Sequence, residues 1–329
     1  MNEEKNIPEA PPPSGVTEKI ESHPTFDEQW EHPDKLVFTD RESESEVGFY
    51  DIQPESLKTK IPTAILGGWG GTAEMYRENM RSLVTGGRRA FSVTAPHGID
   101  YDKQEFSLED VDNIPDVELR KIAALINSLE KKQIEKIDAI GHSEGCLDVI
   151  LAATLYPERF RDIVLVNPAG MIGKDNPWRL ATSFAREVVK GYVDEVRKHG
   201  LSEPMLRAIR ETTTAVIKDP VQSFREVLAL SNVQIHELLI GLREKGIGIS
   251  IVSAVDDGVF PDKRMQEIVT KDMVDGYFTV RGHHAQFQLD AERYTQLADY
   301  ALEMMQQKRE RSQQPQGTVL ENVEVIPEG

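Results

Sequence analysis

The sequence predicts an α/β fold: a mostly parallel, doubly wound sheet with helices on both faces and an inserted helical cap. Three observations carry that prediction. Short apolar runs of strand type alternate with amphipathic runs of helix type over most of the chain. Several strand runs end in glycine and pass directly into a helix pattern, the connection that parallel strands require. Between residues 171 and 245 the alternation stops, and helical stretches continue without a convincing strand.

The elements follow in order. "DKLVFTD" (34–40) and "EVGFYDI" (46–52) read as an opening hairpin, and "IPTAILGG" (61–68) as a short buried strand ending in glycines. "TAEMYRENMRSLV" (72–84) is a helix pattern with Thr72 as N-cap, closed by Gly86 and Gly87. After the strand "RRAFSVTAP" (88–96), the stretch 114–132 places Leu119, Ile122, Ala123, Ile126 and Leu129 on one helical face, with Pro115 at its start. "KIDAI" (136–140) is a strand, and the next helix carries Leu147, Ile150, Leu151 and Leu155. "DIVLVNPAG" (162–170), "GIGISIVSAVDDGVFP" (246–261) and "GYFTVRGHH" (276–284) supply further strands. Helices are expected over 263–271 and 291–305. The predicted organisation is a core over 34–170 and 246–306, a helical cap over 171–245, and mobile tails over 1–33 and 307–329, where proline and charge replace apolar periodicity.

Composition narrows the function. With 56 acidic against 38 basic residues the net charge is −18, which disfavours nucleic acid and anionic membrane surfaces as partners. No apolar run is long enough for a membrane span. The start "MNEEKNIPEAPPPSG" lacks the pattern of a signal peptide, so a cytoplasmic location is expected. The single cysteine, Cys146, reads as a small buried residue. No metal or other cofactor is expected: "HELLI" (236–240) has Ile240 where a second zinc-binding histidine would stand.

"GHSEG" (141–145) is the chemical focus. It lies between a buried strand and a helix, where a nucleophile elbow would present Ser143, with Gly141 and Gly145 as the small neighbours of a tight turn. A serine hydroxyl needs a base, and "RGHHAQF" (281–287) supplies histidines after the last strand. His283, directly after Gly282, is preferred, with His284 as the alternative. His142 is set aside because adjacent side chains of an elbow diverge. The carboxylate that orients the base is Asp257, four residues before Pro261, with Asp256 as the alternative. The other strand end sometimes used for this acid carries Asn167. An oxyanion would be met by two backbone N–H groups, from Glu144 and from Trp69 in "LGGWGGT" (66–72). That loop lacks the Lys-Ser or Lys-Thr of a phosphate cradle.

A glycine-rich loop, GxSxG, aspartate and histidine in this order resemble the α/β-hydrolase fold superfamily, over roughly residues 34–306. The resemblance implies a serine hydrolase that forms an acyl-enzyme from an ester or related small acyl substrate. A C–C hydrolase or acyltransferase with the same residues, and a non-catalytic binding protein on the same fold, are the alternatives. Gly67 departs from the family's frequent histidine at the head of the oxyanion loop, which alters how that loop is pinned. The cap would select the substrate, expected to be an uncharged ester. Trp178, Phe184, Tyr192 and Met205 are candidates either for its pocket lining or for the cap's own core.

Overall fold

The computed structural model describes residues 23–39, 44–95, 98–101, 114–173, 176–200, 206 and 235–313. Eight strands form one sheet: β1 (Asp34–Thr39), β2 (Glu44–Ile52), β3 (Thr63–Leu66), β4 (Ala90–Thr94), β5 (Ile137–His142), β6 (Phe160–Val166), β7 (Gly248–Ala254) and β8 (Gly276–Val280). Their spatial order is β1-β2-β4-β3-β5-β6-β7-β8. β2 pairs antiparallel with β1 and β4, and every other pairing is parallel. Only β2 therefore runs against the sheet. The chain adds β4 on one side of β3 and then returns to place β5 on the other. A crevice opens at such a reversal, between the loops that follow β3 and β5.

Residues on alternate positions of the central strands enter different cores, as a sheet buried on both faces requires. Ile163 and Leu165 of β6 pack with α3 (Asp116–Lys131), α4 (Gly145–Leu155) and α6 (His236–Glu244), which contribute Ile122, Leu147 and Leu239. Val164 and Val166 face the opposite way, with Met80 of α2 (Arg77–Thr85) and Leu302 of α9 (Ala291–Gln313). The apolar face predicted for 114–132 is buried throughout.

Four boundaries differ from expectation. Thr72 does not cap: a 3₁₀ turn over Ala73–Tyr76 precedes α2, and the buried Thr72 hydroxyl finds no partner among the described residues. The tail expected over 1–33 contains helix α1 (Phe26–Trp30), started by a Thr25–Glu28 capping box and too short to show as periodicity. The C-terminal helix α9 runs to Gln313, beyond the expected limit of 306, because charged residues continue it once its apolar face is docked. Within the expected cap, α6 belongs to the sheet's own helical layer through Leu239 and Leu242. The cap's described part is α5 (Pro177–His199); residues 201–205 and 207–234, Met205 among them, lie outside the described residues, as does the Tyr192 side chain.

Candidate active site

Ser143 follows β5 with φ +56°, a left-handed conformation that is uncommon for a residue with a side chain. The turn is affordable only between glycines. A Cβ on Gly141 would lie 2.6 Å from Gly145 O, and one on Gly145 would strike the carbonyls of Leu66 and Gly67. Ser143 N–H donates to Val166 O at 2.9 Å, which ties the elbow to the end of β6.

The histidine brought to Ser143 is one residue beyond the preferred position. His284 Nε2 is 2.9 Å from Ser143 Oγ, and His284 Nδ1 is 2.7 Å from Asp257 Oδ2; all three side chains are buried. His283 instead directs Nδ1 to Asp256 O at 3.2 Å. The preference for His283 is thus reversed by the fold. After Gly282 the turn is fixed through the His284 carbonyl, which accepts from Asn167 Nδ2 and from His142 Nε2, each at 3.1 Å. That clamp turns His284 inward. Nothing local in "GHH" distinguishes the two.

Asp257 is the carboxylate at the site, and Asp256 is exposed. Its Oδ1 accepts from Val259 N (2.7 Å) and Phe260 N (2.9 Å), leaving Oδ2 for the histidine. A carboxylate cannot donate, so His284 carries its proton on Nδ1 and offers the bare Nε2 to the Ser143 hydroxyl. The three groups can pass a proton from serine to histidine.

The glycine-rich loop after β3 is pinned by a residue that sequence inspection missed. Tyr76 Oη accepts from Gly68 N (2.8 Å) and Gln288 Nε2 (2.9 Å), and meets His142 Nδ1 at 2.9 Å. Because the His284 carbonyl can only accept, His142 holds its proton on Nε2 and receives the Tyr76 hydroxyl proton on Nδ1. Every atom of this network has one consistent role. Burial, reinforced by the neighbouring His284, pushes the His142 pKa down to about 3, so it stays neutral. Tyr76 anchors this loop by accepting from Gly68 N–H. Its phenol pKa is raised by burial.

Gly68 sits so close to the nucleophile that a Cβ there would lie 2.9 Å from Ser143 Cβ. Its N–H is spent on Tyr76, while the Trp69 N–H has no acceptor among the described residues. Glu144 heads α4, and its buried carboxylate pairs with Lys121 Nζ at 3.0 Å. Both expected oxyanion donors therefore belong to segments tied beside Ser143.

Helix α5 lies over this cleft. Asn176 Oδ1 caps it by accepting from Trp178 N at 2.9 Å and Arg179 N at 3.4 Å. Phe184 packs edge-on against Trp69, 5.1 Å between ring centroids, and against His284. Trp178 is 74% exposed and is not among the described residues that line the cleft. Glu187, one turn beyond Phe184, is buried beside Ser143 and His284 in the same cleft. Cys146 is buried behind the elbow with its thiol against Gly141 O, and burial raises its pKa. Among the described residues no group of acids, histidines or cysteines is arranged to hold a metal, and no helix is long and apolar enough to cross a membrane.

A family model described as alpha/beta hydrolase fold matches residues 65–214. No curated protein matches the chain. Solved structures do. An esterase from Thermogutta terrifontis, with malate bound, is 16% identical, with a TM-score of 0.57 and coverage of 83% of this chain and 99% of its own. A bromoperoxidase from Bacillus anthracis is 13% identical, with a TM-score of 0.60 and coverage of 82% and 100%. A carboxylesterase structure from Nitrososphaera gargenis is 18% identical, with a TM-score of 0.55 and coverage of 83% and 100%. At these identities the likeness is one of fold. The sequence match over residues 65–214 and the architecture together show that the chain has the α/β-hydrolase fold.

Proposed function

We propose that the protein is a serine hydrolase acting on a carboxylic ester or related acyl substrate through an acyl-enzyme. One observation carries this reading: the buried relay in which Ser143 Oγ, His284 and Asp257 are joined at 2.9 and 2.7 Å. Ser143 Oγ attacks the carbonyl carbon as His284 Nε2 takes its proton, and Asp257 stabilises the imidazolium that forms. The N–H groups of Trp69 and Glu144 receive the oxyanion. Collapse of the tetrahedral intermediate breaks the bond to the leaving group, which takes the proton from His284. Water, deprotonated by His284, then releases the acid and restores the Ser143 hydroxyl. The esterase and carboxylesterase among the similar folds agree with this chemistry.

Labelling with a fluorophosphonate tests it. Wild-type protein is expected to label at Ser143, and Ser143→Ala to lose the label. His284→Gln should slow labelling by about 10³-fold or more, whereas His283→Gln should change it by less than about tenfold. Undiminished labelling of His284→Gln would overturn the assignment of the base.

A further inference from the structure

Among the described residues, the cleft beside Ser143 contains one charged group that the proposed chemistry does not use. Glu187 projects from α5, is 5% exposed, and its Oε2 is buried without a hydrogen-bond partner among the described residues. The cationic candidate recorded beside it among the described residues is His283, whose Nδ1 lies 3.7 Å away, beyond hydrogen-bond range. That nitrogen already faces Asp256 O at 3.2 Å, and a carbonyl accepts only a donor, so its proton is directed away from Glu187. The loop after β7 accommodates the carboxylate: a Cβ on Gly258 would lie 2.7 Å from Glu187 Cδ.

A buried carboxylate oxygen without a donor, as Oε2 is among the described residues, is costly, and proteins keep such groups where a ligand completes them. The surroundings specify the ligand. Trp69 and Phe184 wall the same cleft, and aromatic faces beside a carboxylate favour an organic cation. Trp69 Nε1–H is also buried without an acceptor among the described residues, so a hydrogen-bond acceptor on the ligand would be met as well. The net charge of −18 attracts cations to the molecule as a whole.

We propose that Glu187 is a specificity-determining residue and that the site selects an acyl substrate bearing an ammonium group, through an ion pair with Glu187 inside the Trp69–Phe184 cleft. This replaces the uncharged ester expected from the sequence, and it rests on the reading of Ser143 as nucleophile.

The test compares amino-acid methyl esters with their deamino counterparts, in wild type and Glu187→Gln. Wild type is expected to favour the ammonium ester in kcat/KM by about tenfold or more, as a charge-assisted hydrogen bond would give. Glu187→Gln should bring the ratio to within about twofold of one. A wild-type ratio of one or less, or a preference unchanged in Glu187→Gln, would overturn the proposal. Circular dichroism establishes that the variant is folded; if it is not, the wild-type ratio alone decides. Fluorophosphonate labelling separates the two readings, since the probe is uncharged and reports Ser143. Should labelling fail, calorimetric titration with n-butylammonium and n-butanol still decides the role of Glu187. Binding of the cation about tenfold tighter than the alcohol supports it, and equal binding refutes it.

Discussion

His142 stands next to the nucleophile and is buried against it, yet its two nitrogens are both occupied, by Tyr76 and by the His284 carbonyl. It acts as a fixed spacer between Tyr76, which holds the glycine-rich loop, and the His284 backbone. Its depressed pKa has a thermodynamic consequence. The unfolded chain protonates histidine near pH 6.5, whereas the folded chain excludes that proton down to about 3. Between these values the unfolded state binds more protons, so stability is fully present above about pH 6.5 and is lost as pH falls toward 3. Urea unfolding should therefore show a drop from pH 7 to pH 5 that is about 2 kcal/mol larger in wild type than in His142→Gln. Equal drops would mean that His142 titrates normally in the folded protein.

At the scale of elements, α1 offers a test of what its sequence concealed. Trp30 is buried, with Phe26 stacked at 5.7 Å and Tyr50 of β2 at 4.6 Å between ring centroids, while Arg81 of α2 covers the Phe26 ring. Trp30→Ala should lower the unfolding free energy by about 3 kcal/mol in urea titration; a loss below about 1 kcal/mol would mean that α1 is not docked. One helical turn offers no periodicity to read, so its proline-rich approach made it resemble a tail. The eight strands were legible because each is a short apolar run bounded by glycine or proline, and the core helices because their apolar stripes repeat over several turns. The strand-end positions of Ser143 and Asp257 were legible for the same reason. The choice between His283 and His284 was not, because Asn167 and His142 decide it from two other strand ends. Tyr76 and Glu187 read as ordinary helix residues until the fold brings them to the cleft.

Over the whole molecule the sheet separates two tasks. Ser143, Asn167, Asp257 and His284 all follow the carboxyl ends of parallel strands, where the proposed chemistry gathers. At the amino ends lies a buried ionic network. Asp138, at the start of β5, accepts from Arg161 Nε at 2.8 Å and Arg88 Nη1 at 3.3 Å; Arg88 also pairs with Asp299 of α9, and Arg309 of α9 with Asp162. Burial raises the Asp138 pKa, and Arg161 and Arg88 offset that shift in part. Such a network adds little over an apolar core but is costly to break, since the remaining charges stay buried. Asp138→Asn leaves Arg88 with Asp299 and Arg161 with Asp162, so a loss of about 3 kcal/mol is expected, at the low end for a broken buried pair. Five residues of extended strand separate Asp138 from Ser143, roughly 16 Å. Ester turnover by the folded variant should consequently stay within about twofold of wild type while its urea midpoint falls. A loss of kcat at full native population would instead show that β5 transmits strain from the ionic end to the elbow, and that the two ends of the sheet are coupled.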